Sequence, residues 1–308
     1  MMHIYNNEPE DYSTEAKLIL SSVGYYHEYQ PPPVVDVIIT RLKAQIDSQF
    51  LNNYPYLKFI LTATTGLNHI DLPECTKRGI QVISLRGEFD FLSGIAATAE
   101  HTMALLFSLA RSIPEANLST HKGLWEKKKF KGNELKGKNI GIIGFGNVGR
   151  RFSEMCFAIG LKVSIFSKYF ESIKDQYQHY RSLNLDDLIK NSDIISFHCK
   201  PNKDNSSIIN LNDLRSMKKN AFIINTARGN LINENDLKTA LNDGIIKGAA
   251  IDVFSNEPAN KNILFNTPNL ILTPHIAAST IEAQIIVAKK ISEQISEFFI
   301  SGKVINQV

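Results

Sequence analysis

Cysteine is scarce in this chain, and its arrangement excludes two classes of protein. The three cysteines, Cys75, Cys156 and Cys199, are far apart and odd in number, with no CxxC pair and no Cys/His cluster. No disulfide framework is available and no metal site is expected; reduced thiols are the plain reading. Long apolar runs are missing as well. The most apolar stretch, TMALLFSLA, stops at Arg111, far short of the ~20 residues that cross a bilayer. The N-terminus, MMHIYNNEPEDY, carries acids where a secretory leader would carry an apolar run. A cytoplasmic chain with no membrane partner is therefore expected. Charge of one sign is also lacking: 34 basic against 31 acidic residues leave a formal charge of +3, too little to imply nucleic acid. The densest basic stretch, Lys127, Lys128, Lys129 and Lys131 around Phe130, has no RNA-binding motif near it and reads as a solvated loop. There is no internal repeat, and PPP at 31–33 is the only low-complexity stretch.

What is present is the composition and patterning of a globular α/β protein. At 308 residues, 43% hydrophobic and 21% charged, the chain is too long for one ordinary core, so two domains are expected. Short apolar runs alternate with helical patterns, which points to parallel sheets. In the first third the strands are expected at Val35–Thr40, Lys58–Thr64 and Gln81–Leu85. A second series follows at Asn139–Gly144, Lys162–Ser167, Asp193–His198, Ala221–Thr226, Gly248–Val253 and Leu270–Thr273. Between the series a helix is expected from about Thr98 to Arg111, with Met103, Leu106, Phe107 and Ala110 on one face. Asn233 and Asp236 open another helix that Gly244 closes. Ser279 with Glu282 forms a capping box for a last helix, in which Ile281, Ile285, Ala288 and Ile295 recur up to Gly302. That helix is expected to cross back to the first domain. The reading is thus two Rossmann-like or flavodoxin-like domains with a cleft between them, residues 1–98 plus 281–308 and residues 99–280; the glycine motif at 144–149 makes the second the NAD(P)-binding domain and leaves the first to the substrate.

Gly144-Phe145-Gly146-Asn147-Val148-Gly149 is the motif that points to the dinucleotide. G-x-G-x-x-G alone is weak among 17 glycines, but here it follows a β-like run, KNIGIIG, and opens a helical one. Gly144 makes the tight turn, Gly146 lets the backbone approach a pyrophosphate, and Gly149 lets helix and strand pack closely. The helix N-terminus then offers N–H groups and partial positive charge. The acid that selects NAD normally lies at the end of the second strand, about 20 residues on. Here that position is Ser167, followed by Lys168, so NADP(H) is expected at least as readily as NAD(H). The rival reading has Glu171 reaching the ribose instead.

Three later segments carry charge at expected strand ends: Asn225-Thr226-Ala227-Arg228-Gly229, Asp252-Val253-Phe254 with Glu257-Pro258, and Pro274-His275-Ile276-Ala277. In a doubly wound sheet the carboxyl ends of strands face the ligand crevice, so Arg228, Asp252 and His275 are expected to converge. Histidine titrates near neutral pH and can give or take a proton, and a carboxylate beside it, a part open to Glu257, favours the imidazolium. Arginine's planar fork suits a bound carboxylate. Taken singly, each segment has a plain structural reading as a salt-bridge partner, a buried His or an acidic loop. In this order, after a phosphate turn, they point to catalysis.

On these segments the sequence resembles the D-isomer-specific 2-hydroxyacid dehydrogenases. The resemblance runs from about Leu57 onward through TATTGLNHID, AEHTMALLFSLAR, GLWEKKKFKGNELKGKNIGIIGFGNVGRR, INTARG, AIDVFSNEP and PHIAASTIEAQ. It is closest to the phosphoglycerate-dehydrogenase branch, without an appended regulatory domain, and it does not extend to the first fifty or so residues. The resemblance implies hydride transfer between a nicotinamide and a small D-2-hydroxy or 2-keto acid, of phosphoglycerate-dehydrogenase-like or hydroxypyruvate/glyoxylate-reductase-like type. It makes Arg228, Glu257 and His275 catalytic. It gives the loop Ala63-Thr64-Thr65-Gly66 to the substrate carboxylate and Asp252 to the nicotinamide amide. His198, Cys199, Thr226, Ala227 and Ala277 then line the cofactor. It further implies a homodimer built around the helix near 98–111 and the segment after it. His101 matches a family position and reads as a packing residue between domains. His69 is read as either near the substrate loop or exposed and is given no role, and Trp125 is read as core or subunit packing. Thr62 stands where phosphoglycerate members typically carry Arg, and the stretch from Leu85 to Leu92 is longer than its equivalent, so 3-phosphoglycerate is not the expected substrate. The rival class is a cofactor-sensing scaffold on the same fold. Formate dehydrogenases, which typically carry Gln in place of Glu257, rank lower.

Overall fold

Ile- and Val-rich runs of four or five residues, bounded by Gly, Pro, Asn or Ser, become strands, and the longer amphipathic runs between them become helices. The computed structural model describes residues 1–202, 204 and 206–301. Its first elements are β1 Met2–Asn6, α1 Thr14–Val23, β2 Gly24–Glu28, β3 Val37–Thr40, α2 Ser48–Leu51, β4 Phe59–Thr62, α3 Leu72–Lys77, β5 Gln81–Ser84 and α4 Phe89–Ser93. They are followed by α5 Ala97–Arg111, α6 Ile113–His121, β6 Asn139–Ile143, α7 Asn147–Ala158, β7 Lys162–Phe166, α8 Lys168–Ile173 and β8 Arg181–Ser182. The remainder are α9 Leu185–Asn191, β9 Ile194–Phe197, α10 Leu211–Ser216, β10 Phe222–Asn225, α11 Glu234–Asn242, β11 Gly248–Ile251, β12 Leu270–Leu272 and α12 Ile281–Ser301. They form two units, Met1–Gly94 with Ser279–Val308, and Ile95–Ala278; the sequence reading drew its boundaries at 98/99 and 280/281.

The first unit holds a parallel sheet in the order β2-β1-β3-β4-β5, the flavodoxin arrangement. The sequence reading missed β1 and β2. β1 (MHIYN) and β2 (GYYHE) both carry Tyr and His among few aliphatics, and β2 is an edge strand with most of its side chains partly exposed, so neither shows a clean apolar run. The last helix begins one residue later than its capping signal suggested: Thr280 Oγ1, not Ser279, accepts the Ala283 N–H at 3.2 Å. Its buried side is Ala283, Val287, Ala288, Ile291 and Ile295, whereas Ile281 and Ile285 are exposed. The expected stripe is therefore displaced, because α12 turns to α1 the residues spaced i, i+4 from Ala283. Lys289 pairs with Glu15 at 2.7 Å and Phe298 lies 4.7 Å from Phe59, tying this helix to the unit of Met1.

The second unit holds a seven-stranded parallel sheet, β12-β11-β10-β9-β6-β7-β8. Numbered within the unit its order is 3-2-1-4-5-6 with a seventh strand at the edge, the dinucleotide-binding arrangement. Two cores cover its faces. One gathers Met103, Leu106, Phe152 and Cys156, the other Leu188, Leu214, Leu237 and Leu241. The buried arc of α5 runs through Ala99, Thr102, Leu106 and Leu109, and Phe107 is exposed, contrary to the expected face. The arc turns toward Leu105 and Leu109 because α5 packs on α7 and on the β10–β11 strands together. Trp125, at 87% exposure, is not a core residue. The Lys127–Lys131 stretch is a surface loop, with Lys129 paired to Glu126 at 3.2 Å. Burial pushes the Cys75 and Cys199 thiols up to about 11, and Cys156 higher still. Among the described residues no helix is long and apolar enough to cross a membrane, and no His/Cys/Asp/Glu group could hold a metal ion.

Candidate active site

The second unit carries most of the predicted site residues, at the carboxyl ends of its strands. After β6 the chain turns at Gly144, whose φ of +100° suits glycine and whose missing Cβ would otherwise overlap the His198 carbonyl beyond β9. β6 and β9 are the neighbours at which the strand order reverses, where ligands of such sheets bind. A Cβ on Gly149 would overlap Gly144 O, whereas one on Gly146 would meet nothing within 4 Å. The turn is thus packed tight at its ends and open at its middle. Helix α7 starts at Asn147, and its first helical bond runs from Arg150 N–H to Gly146 O at 2.9 Å. His198 donates or accepts at Ser196 Oγ, 2.9 Å away, and burial pushes its imidazole down to about 3, so it is neutral. At the end of β7, Ser167 caps α8 by accepting the Phe170 N–H at 3.4 Å, and Lys168 beside it is exposed. Glu171 is held by both Lys174 and Ser182.

Arg228, Glu257 and His275 follow β10, β11 and β12, three adjacent strands. His275 Nδ1 lies 2.6 Å from Glu257 Oε2. Glu257 is itself fixed, because Oε1 accepts the Phe254 N–H at 2.8 Å. A carboxylate accepts, so Nδ1 carries hydrogen and Nε2 is the ring atom left for a reactant. Arg228 sits on a loop shaped by Asn225, whose Oδ1 accepts the Ala227 N–H at 3.1 Å and whose Nδ2 donates to Arg228 O at 2.8 Å. One guanidinium N–H donates to Ala227 O at 2.5 Å. Burial pulls the Arg228 guanidinium below its ordinary value, opposed by the charge of Glu257. Gly229 brings this loop against the next one: a Cβ there would overlap the backbone of Phe254 and Ser255.

Asp252 is wholly buried, and its oxygens accept from Thr273 Oγ1 at 2.5 Å and from the Ile276 and Ala277 N–H groups, each at 2.9 Å. Burial raises its pKa, but the hydrogen bonds from His101, Thr273, Ile276 and Ala277 outweigh it and hold the carboxyl below its ordinary value. Thr226 is buried with its hydroxyl 2.8 Å from that of Thr102 on α5. His101 on the same helix lies 3.2 Å from Thr273 Oγ1 and 3.6 Å from Asp252. The sequence reading did not anticipate these two α5 contacts. Their signal in the sequence is an adjacent His-Thr pair just before the apolar run MALLF.

In the first unit the loop after β4 is built on a chain of hydrogen bonds. Thr64 Oγ1 donates to Gly66 O at 2.7 Å, so the Thr62 hydroxyl 2.9 Å away donates to Thr64, and His69 Nε2 at 3.3 Å donates to Thr62. Thr62 and His69 are buried, while Thr65 is exposed. The following loop starts beside it, through Leu85 N–H to Thr64 O at 3.1 Å. Of the two acids there, Glu88 is engaged by Lys290 at 3.2 Å and Gln294 at 3.1 Å.

Residues 103–277 match the family model described as D-isomer specific 2-hydroxyacid dehydrogenase, NAD binding domain. The chain is 34% identical over 263 residues to D-3-phosphoglycerate dehydrogenase of Bacillus subtilis, covering 85% of this chain and 49% of that one. It is 35% identical over 271 residues to glyoxylate reductase of Thermococcus litoralis, covering 86% and 80% respectively. A solved structure of an acyclic imino acid reductase in complex with NADPH and D-Arg matches with a TM-score of 0.82 at 28% identity, over 100% of both chains. The chain spans about half the length of the curated phosphoglycerate dehydrogenases it matches.

Proposed function

The chain belongs to the D-isomer specific 2-hydroxyacid dehydrogenase family, and from that premise we propose that it interconverts a small D-2-hydroxy acid and its 2-keto acid with a nicotinamide cofactor. The observation that carries the proposal is the 2.6 Å Glu257–His275 hydrogen bond beside the Arg228 loop, on adjacent strand ends of one sheet. A bound nicotinamide supplies the hydride. His275, anchored through Nδ1, delivers a proton from Nε2 to the carbonyl oxygen as negative charge grows there, and takes it back in the oxidative direction. Glu257 orients the ring and stabilises its positive form. Arg228 holds the substrate carboxylate and polarises the keto group. Thr64, Thr65 and Gly66 are assigned to the carboxylate as well. In this reading Met1–Gly94 with the last helix is the substrate-binding part and Ile95–Ala278 the nucleotide-binding part.

The glycine turn fits a dinucleotide: Gly146 leaves open backbone over the first turn of α7, and Gly144, Asn147, Val148 and Gly149 complete the cradle for a pyrophosphate. His198, Cys199, Thr226, Ala227, Asp252 and Ala277 belong to the cofactor side, Asp252 through the turn it holds. A panel of 2-keto acids offered with NADH and NADPH in parallel tests the proposal. At least one acid is reduced at enzymatic rates; cofactor binding with no reduction at all would favour the scaffold reading. Free buried thiols accord with a cytoplasmic protein. Exposed Phe107, Ile113, Leu118, Leu124 and Trp125 support a homodimer formed through α5, α6 and the segment after them.

NADPH is expected to serve at least as well as NADH. Ser167 offers no charge to repel a 2′-phosphate, its hydroxyl proton remains to donate, and Lys168 is exposed next to it. Glu171, the other candidate for the ribose, is engaged by Lys174 and Ser182. An exposed Lys contributes only about 0–1 kcal/mol, so the missing acid matters more than the added base. Ser167→Asp should move the ratio of kcat/KM values toward NADH by roughly tenfold. A strong wild-type preference for NADH that the substitution leaves unchanged would refute this.

3-Phosphoglycerate is expected to be a poorer substrate than the best unphosphorylated 2-hydroxy acid. Thr62 is buried with its hydroxyl committed between His69 and Thr64, so it offers a phosphate neither charge nor a donor. A kcat/KM on phosphoglycerate above that on every unphosphorylated candidate would overturn the expectation, and would point to Arg86.

A further inference from the structure

Arg228, Glu257 and His275 account for the proposed chemistry but not for the backbone that presents His275. That residue is left-handed, with φ of +54°, a conformation that costs a non-glycine residue of order 1 kcal/mol unless its surroundings impose it. The imposing group is Asp252. The His275 N–H donates to Asp252 O at 2.8 Å, and the next two N–H groups, of Ile276 and Ala277, donate to the Asp252 carboxylate. A buried carboxylate is only as fixed as its remaining donors, and two side chains supply them. Thr273 donates its single hydroxyl proton to Asp252, so toward His101 it can only accept. His101 therefore carries hydrogen on Nε2 and directs it at the Thr273 and Asp252 oxygens, 3.2 and 3.6 Å away. The adjacent Thr102 holds Thr226 at the end of the neighbouring strand β10, so one turn of α5 secures two of the strand ends that carry the site.

We propose that His101 is a positioning residue, which locks the 275–277 turn through the Thr273–Asp252 pair and so aims His275 at the substrate. The inference rests on the oxidoreductase reading for its effect on turnover, but not for its effect on the turn. His101→Leu removes the donor, His101→Gln retains one, and Thr273→Val cuts the same link from the other side. With the best keto acid, His101→Leu and Thr273→Val should each lower kcat by about 10- to 100-fold. KM for the keto acid should stay within about threefold, the cofactor Kd, to which the same turn contributes, should rise by less than kcat falls, and His101→Gln should recover most of both losses. Hydrogen exchange of the Ile276 and Ala277 amides gives a second readout that needs no substrate. It should accelerate at least about tenfold in His101→Leu and Thr273→Val, relative to unchanged amides in β6, and not in His101→Gln. If His101→Leu does not fold, Thr273→Val carries both measurements. Wild-type exchange at Ile276 and Ala277 in the donor-less variants would overturn the proposal, and so would a glutamine variant as impaired as the leucine one. A wild type that reduces no keto acid would defeat the oxidoreductase reading instead, leaving the exchange measurement to decide the role of His101.

Discussion

On the proposed mechanism, His275→Ala is expected to lower turnover of the best 2-keto acid by roughly 10²–10⁴-fold, the usual effect of removing a general acid–base group. Alanine deletes a ring that has one nitrogen anchored by a carboxylate, at 2.6 Å, and a second nitrogen left for a reactant. It also removes an imidazole that is partly exposed, so little packing is lost and the variant should fold. Alanine tolerates φ of +54° no better than histidine, and the Asp252 bonds to the 276 and 277 N–H groups remain to hold the turn. The Kd of the nicotinamide should therefore change by less than about threefold while kcat collapses. Glu257→Gln is the graded companion: its one carbonyl oxygen can accept from Nδ1 or from the Phe254 N–H but not at both places, and it no longer stabilises the imidazolium, yet the ring itself remains, so the loss should be smaller. Near wild-type turnover in His275→Ala would remove the proposed mechanism altogether. A loss confined to KM would reassign His275 to substrate binding.

Gly229→Ala should damage stability and activity together. A methyl at this position overlaps backbone atoms of Phe254 and Ser255, and no side-chain rotation can relieve a clash of backbone with Cβ. Either the Arg228 loop or the loop leading to Glu257 must move. Overpacking a tight contact costs about 1–3 kcal/mol, and displacing a catalytic group by about 1 Å can cost 10²-fold in rate. Both effects should appear, as a lower denaturation midpoint and a fall in kcat/KM. Gly146→Ala is the contrast, because its Cβ meets nothing within 4 Å. It should leave the denaturation midpoint unchanged and weaken only the cofactor. A Gly229→Ala protein with wild-type midpoint and wild-type kcat/KM would show that the two loops are not held in register by this contact.

The parts of the molecule that were legible in its sequence are those where one local rule dominates. Ile140, Ile142 and Ile143 before Gly144, and Phe222 to Ile224 before Asn225, are buried on both faces and read as strands without ambiguity. The Glu257–His275 pairing was implied by the family resemblance, and the two side chains do lie 2.6 Å apart. What escaped depends on contacts distant in sequence. His101 meets Thr273 across 172 residues, and neither position reveals the other by spacing. The edge strand Gly24–Glu28 is marked by tyrosine and histidine rather than by aliphatic residues, and it gains its partner only from β1. The face of α12 was misjudged for a related reason. Ile281 and Ile285 are as apolar as Val287 and Ile291, and only the position of α1 decides which are covered.

The return of α12 to the unit that begins at Met1 fixes the order in which a nascent chain can mature. Residues 1–94 leave the ribosome with α1 still lacking the helix that packs along it. The stretch Ile95–Ala278 must be synthesised before that helix appears, roughly 10–40 s at ordinary elongation rates. This intervening stretch is continuous and contains every strand of its own sheet, so it can close its cores while translation proceeds. The earlier-made of these two stretches is thus the later to be sealed, with α1 uncovered for that interval.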